Sequence, residues 1–209
     1  MIAISSHRPH SGSEEYRTHQ RRAKESWEKA FSKIFYFGPV EPELASAKTT
    51  FIASDPWPQI KLLAHLASQQ HELTAIINAD IIVTANLLGL ERLMPEHYVQ
   101  VVTSRRCTVI DGDMERAVID THDKGLDIFV ALPSVWSRIS YMIPDCFRIG
   151  HQQWDQWMVG FCSETYGRAF RHFNQLRAVF HPEHKGRNMP YKVVPNDHYC
   201  QLAEWPMPI

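Results

Sequence analysis

Apolar residues come in short runs separated by amphipathic stretches over most of the chain. The opening run "IAIS" turns within five residues into the polar loop "SHRPHSGSEE". There Ser13 stands as a helix N-cap ahead of Glu14 and Glu15. From residue 14 to about 32, Ala23, Trp27, Ala30 and Phe31 recur at helical spacing among charged side chains, which predicts an amphipathic helix with one buried face. "KIFYFG" reads as a second strand and "TTFIAS" as a third. "DPWPQIKLLAHLASQ" reads as a helix beginning near Pro58, with Ile60, Leu63, Ala64 and Ala67 on one side. "LTAIINADIIV" and "HYVQVVTSRRCTV" follow as strands. "MERAVIDTHDKGLDIFVALP" reads as a short helix, a turn at Gly125 and a strand carrying Asp127. "RIGHQQWDQWMVGFCSETYGRAF" opens a helix rich in Trp154, Trp157, Met158 and Phe161, and the Pro- and His-rich stretch from about residue 181 predicts an irregular tail wrapping the body.

Strands alternating with helices predict an α/β fold with a mainly parallel central sheet flanked by helices on both faces. With 209 residues the chain fits one domain, residues 1–209. In such sheets ligands collect beyond the carboxyl ends of the strands. The polar residues at three such ends therefore matter most: Ser5 to Arg8, Ser54 with Asp55, and Asn78 to Asp80.

Composition narrows the classes. Lys plus Arg number 22 against 23 Asp plus Glu, so no net field steers the chain toward nucleic acid or an anionic membrane. The 4 cysteines are widely spaced without a Cys-x-x-Cys pair, which suits reduced, buried thiols better than a zinc ribbon or a disulfide framework. No apolar run reaches the roughly 18 to 20 residues needed to span a bilayer, and the first residues lack the pattern of a signal peptide. The expected setting is the cytoplasm.

"INADI" interrupts an apolar run with Asn78 and Asp80. An Asp after a strand often does no more than shape a turn. At the exit of a central strand it also suits a hard divalent cation, which in turn neutralises a diphosphate. Here the sequence resembles nucleotide-diphosphosugar glycosyltransferases of the GT-A type, over about residues 2–170. "INADI" stands where that family carries Asp-x-Asp, with Asn78 in place of the first acid. A second likeness runs from Gly125 to Cys162: a strand beginning with Asp, then Pro144, Phe147, Ile149, Gly150, and then Trp154, Asp155 and Trp157, with one extra residue before Phe147.

The resemblance implies a single-domain, Rossmann-like GT-A fold and transfer of a sugar from a nucleotide-diphosphate donor to an acceptor hydroxyl. The acceptor is a glycan or a hydroxylated base in DNA. It further implies that Asp80 binds a divalent metal, manganese or magnesium, and that Asn78 contacts the ribose or the water shell of the cation. Ser5, Ser6, His7 and Arg8 would hold the nucleoside and phosphate, with Asp55 on the nucleoside and Arg105 on the diphosphate or donor sugar. His181 would complete the metal site, and Lys185 would supply positive charge near the leaving phosphate.

On the acceptor side, Asp155 is the candidate general base. Inversion is favoured because no second carboxylate nucleophile stands out. Trp154 and Trp157 would stack on the acceptor and raise the Asp155 pKa by burial. Each residue also has a plainer reading: a solvated loop for residues 5–8, a turn starter for Asp55, core packing for the tryptophans, a helix cap for Asp155 and solvated histidines for His181 and His184. A noncatalytic nucleotide-binding or protein-interaction module that keeps the fold is the alternative class, with Asn78 as its best support.

Overall fold

A computed structural model describes residues 1–7, 14–55, 57–105, 107–110, 113–119, 126–149, 154–173 and 176–182. Its elements are β1 (Ile2–Ser6), α1 (Glu14–Ala30), β2 (Lys33–Phe37), β3 (Thr49–Ile52), α2 (Ile60–Ser68), β4 (Thr74–Ile77), β5 (Ile82–Val83), α3 (Leu90–Glu96), β6 (Val101–Arg105), β7 (Cys107–Ile110), β8 (Asp113–Ile119), β9 (Leu126–Ala131), α4 (Pro133–Met142), α5 (Trp154–Tyr166), β10 (Phe170–His172) and β11 (Val179–Pro182).

The central 7-stranded sheet has the order β10-β6-β9-β4-β1-β2-β3. Only β9 runs against its neighbours; the other contacts, β1 with β2 and β4, β2 with β3, and β6 with β10, are parallel. The expected mainly parallel sheet is thus present. A 4-stranded sheet, β5-β11-β7-β8, stands beside it.

Both faces of the central sheet are covered, as its near-continuous apolar strands require. Side chains alternate along each strand. Ile2, Ile4, Ile76 and Phe129 face α2, α4 and α5, whereas Ala3, Ala75, Ile77, Ile128 and Val130 face α1 and α3. The same period puts Asn78, just beyond β4, and Asp127, near the start of β9, on the α5 side. Among the described residues, no helix is long and apolar enough to cross a membrane.

Several expected elements differ. "LTAIINADIIV" is two strands in two sheets, because the chain turns at residues 78–81, where the Ile81 amide donates to the Asn78 carbonyl at 3.3 Å. "HYVQVVTSRRCTV" divides likewise into β6 and β7. The helix expected from Met114 onward is instead strand β8, which pairs antiparallel with β7 and contributes Ala117 and Met114 to a small apolar cluster with Cys107, Val109 and Phe180. The start of the expected irregular tail is a strand, since His181 and Pro182 close β11 between β5 and β7. The rest of that tail lies outside the described residues.

Candidate active site

The site is built where β4 ends. Beyond Ile77 the backbone makes the turn at 78–81, and helix α1 pins it: the Trp27 indole N–H donates to the Ile81 carbonyl at 2.7 Å. The amide of Val83 donates to the Ser26 hydroxyl at 3.0 Å, tying β5 to the same helix. Helix α1 therefore fixes the turn that presents Asp80.

His181 reaches this turn through strand pairing. Antiparallel β5 and β11 match Ile82 with Phe180, so continuing the register brings His181 level with Ile81. Its Nε2 lies 3.7 Å from Asp80 Oδ2, and the two side chains are only 8% and 7% exposed. Residues a hundred positions apart are thus joined by the second sheet. Among the described residues no group of three His, Cys, Asp or Glu side chains gathers for a metal ion. A carboxylate with phosphate oxygens and water is the usual holder of magnesium-like ions at nucleotide sites, whereas an imidazole is the donor preferred by softer divalent metals.

On the other side of the turn, β4 and β9 run antiparallel with Ile77 opposite Ile128, which sets Asn78 opposite Asp127. The Asn78 amide N–H donates to the Asp127 carbonyl at 3.0 Å. The Asn78 side-chain Nδ2 donates to Asp127 Oδ1 at 2.7 Å. A carboxylate needs a donor, so the amide nitrogen faces Asp127 and the amide oxygen faces away. That oxygen is buried and meets no hydrogen-bond partner among the described residues.

Asp155 lies in the first turn of α5, where its Oδ2 accepts from the Leu126 amide at 3.1 Å. Burial, and secondarily the Asp127 charge, raises its pKa to about 6, against the lowering effect of the Leu126 N–H and of the α5 backbone amides. A carboxyl poised there accepts a proton near neutral pH.

The tryptophans do not flank Asp155 as expected. Helical spacing turns neighbours about 100° apart, so Trp154 and Trp157 share a face from which Asp155 is turned away. Trp154 is 3% exposed and packs on Phe129 with ring centroids 5.6 Å apart, so it presents no face to an acceptor. Trp157 is half-buried, stacked on Phe161 at 5.1 Å and tilted against Phe147. Burial comes first in raising the Asp155 pKa, and the Asp127 charge on β9 adds to it.

At the end of β1, Ser5 is fully buried and its hydroxyl donates to the Ile77 carbonyl at 2.6 Å, bracing β1 against β4. Ser6 is buried beside it. The fully buried His7 ring places Nε2 2.6 Å from the Pro39 carbonyl, which makes Nε2 the N–H donor. In the neutral ring the other nitrogen, Nδ1, is an acceptor, and it finds no hydrogen-bond partner among the described residues. The turn after β2 leaves room for this ring only as glycine: Gly38 has φ +137°, and a Cβ there would sit 2.6 Å from His7 Nε2. Asp55 is exposed in the loop after β3. Arg105 closes β6 in register with Leu126. Arg8, Lys185 and the Arg105 side chain lie outside the described residues.

The structure thus brings Asp80, His181, Asn78 and Asp155 around one strand end, with Ser5 to His7 on the adjoining strand. Sequence reasoning missed Asp127 as a member of the site. Its signal was an acid within "LDIFVA", a strand buried along its whole length.

No protein-family model matches the chain, and no curated protein sequence does. Solved structures do. A protein described as a glucose-1-phosphate thymidylyltransferase from Bacillus anthracis superposes with TM-score 0.53 at 11% identity, covering 83% of this chain and 87% of that one. S. aureus TarS in complex with UDP-GlcNAc superposes with TM-score 0.56 at 12% identity, over 95% of this chain and 63% of that one. The chain has a GT-A-like fold. At such identities the likeness establishes the Rossmann-like α/β architecture shared by nucleotidyl- and glycosyltransferases, and the chemistry must be argued from the residues.

Proposed function

We propose that this protein is a glycosyltransferase that moves a sugar from a nucleotide-diphosphate donor to the hydroxyl of an acceptor, a glycan or a hydroxylated nucleobase, with inversion at the sugar carbon. One observation carries the reading: a carboxyl with a pKa raised to about 6, Asp155, stands at the strand end that also gathers Asp80, His181 and Asn78. The shared fold with a UDP-GlcNAc complex supports it.

In this reading the nucleoside lies over the end of β1, where His7 Nδ1 offers an acceptor to a base or ribose N–H or O–H. The diphosphate lies toward Asp80 and His181. A divalent cation held there, when bound, neutralises charge on the leaving diphosphate. Asp155 receives the proton of the attacking acceptor hydroxyl as its oxygen bonds to the anomeric carbon. The bond from that carbon to the phosphate oxygen breaks, and the nucleoside diphosphate leaves with the electron pair. Buried, pre-aligned groups of this kind need little reorganisation as charge develops.

The test is thermal stability with uridine diphosphate and manganese, together and apart. The expected result is stabilisation that requires both. Identical melting curves in all conditions, repeated with other nucleoside diphosphates, would remove the nucleotide-binding premise.

A further inference from the structure

The dipeptide Leu126–Asp127 at the start of β9 touches both halves of the site. Toward the donor side, the Asp127 carbonyl accepts from the Asn78 amide at 3.0 Å, and Asp127 Oδ1 accepts from Asn78 Nδ2 at 2.7 Å. Toward the acceptor side, the Leu126 N–H donates to Asp155 Oδ2 at 3.1 Å. The Asp127 side chain is 5% exposed, deep enough for a hydrogen bond between amide and carboxylate to be strong and orienting.

The contact also accounts for the residue type at position 78. An aspartate there would set two carboxylates against each other across 2.7 Å, a like-charge contact that a buried site accommodates only by raising one pKa so that the pair shares a proton. An asparagine instead donates to Asp127 and directs its own carbonyl oxygen away. The acid absent from the turn is present across the ladder.

We propose that Asp127 is a positioning residue of the transferase site, fixing the Asn78 amide and, through the backbone of β9, aligning the donor-side turn with Asp155. This rests on the glycosyltransferase reading. The residue touches neither reacting atom; it acts through its two neighbours, as outer-shell partners commonly do. The charged neighbour of Asp155 on β9 is Asp127, while the other groups acting on it are the backbone N–H groups of Leu126, Gln156 and Asp155 itself.

The experiment is a swap across the 2.7 Å contact. Asp127→Asn and Asn78→Asp are each expected to lower kcat/KM roughly 10- to 100-fold. The double variant Asn78→Asp/Asp127→Asn rebuilds the amide–carboxylate pair in reverse and is expected to recover most of that loss, the coupling a double-mutant cycle isolates. In parallel, carbon-13 NMR titration of Asp155 is expected to show its midpoint falling in Asp127→Asn, because a negative neighbour is gone. Additive losses in the double variant, or single variants with wild-type kinetics, overturn the proposal. A wild-type protein with no turnover ends the transferase reading instead. The titration then reads the Asp127–Asp155 coupling alone, and an unmoved Asp155 midpoint overturns it.

Discussion

His181 and Asp80 are sequence-distant, yet they face each other at 3.7 Å because β5 and β11 pair antiparallel just beyond the turn at 78–81. In the proposed reading the two side chains, buried side by side at the turn, hold the cation that faces the donor diphosphate. Asp80→Ala and His181→Ala should each abolish manganese-dependent stabilisation by uridine diphosphate. In the wild type, ligand at about 100 times its Kd should contribute about 2.7 kcal/mol. Thermal melts with and without chelator check this, and variants that retain the full shift would exclude the pair from metal binding.

Asp155 should leave a signature in stability against pH. Its folded-state pKa of about 6 lies above the usual 3.8, so the protonated form is the one folding favours. This group's contribution is complete below pH 3.8 and is lost as pH rises through about 6. Asp155→Asn should therefore stabilise the fold above pH 6, by at most about 3 kcal/mol since Asp155 keeps some exposure, with little change near pH 4. Urea unfolding at both pH values measures the difference. Catalysis should move oppositely, with the wild-type rate rising through the same range as the base ionises.

Gly38→Ala should destabilise the protein by roughly 1–3 kcal/mol, because position 38 has a φ of +137° that side-chain-bearing residues rarely adopt and the new Cβ would meet the His7 ring. Nucleotide binding should weaken with it, as the ring is pushed from the Pro39 carbonyl. Denaturant unfolding and nucleotide titration of one sample test both. A Gly38→Ala protein with wild-type values in each would show that the ring has space to move.

Trp27→Phe removes the indole N–H from the Ile81 carbonyl while keeping an aromatic ring between Phe31 and Tyr36. The expected cost is roughly 1–3 kcal/mol, the penalty for a buried carbonyl left without its donor. Hydrogen exchange at the Ile81 amide should accelerate, since that amide closes the turn carrying Asp80. Unchanged exchange would mean that α1 does not hold the turn.

Much of the fold was legible in the pattern of residues. The α1 stripe of Ala23, Trp27 and Ala30, the strands β1 to β4 and the helix beginning at Trp154 all follow from local periodicity. The second sheet was not, because its short strands β5 and β11 are defined by long-range pairing that no local window records. Asp80 was readable as an acid at the end of an apolar run and Asp155 through the Trp-Asp-x-Trp resemblance, whereas Asp127 gained meaning only once register set it opposite Asn78. Trp154 failed as an acceptor platform because helical phase, not closeness in sequence to Asp155, decides which side of α5 a ring occupies.

Sugar transfer with Asp155 as the base is open to a direct test. The direct measurement is nucleoside diphosphate release from a panel of nucleotide sugars, with wild type and Asp155→Asn assayed side by side in the presence of manganese. Turnover of at least one donor by the wild type is predicted, falling roughly 10²- to 10⁴-fold in Asp155→Asn while nucleotide binding persists. No turnover of any donor by the wild type, or equal turnover by the variant, would contradict it.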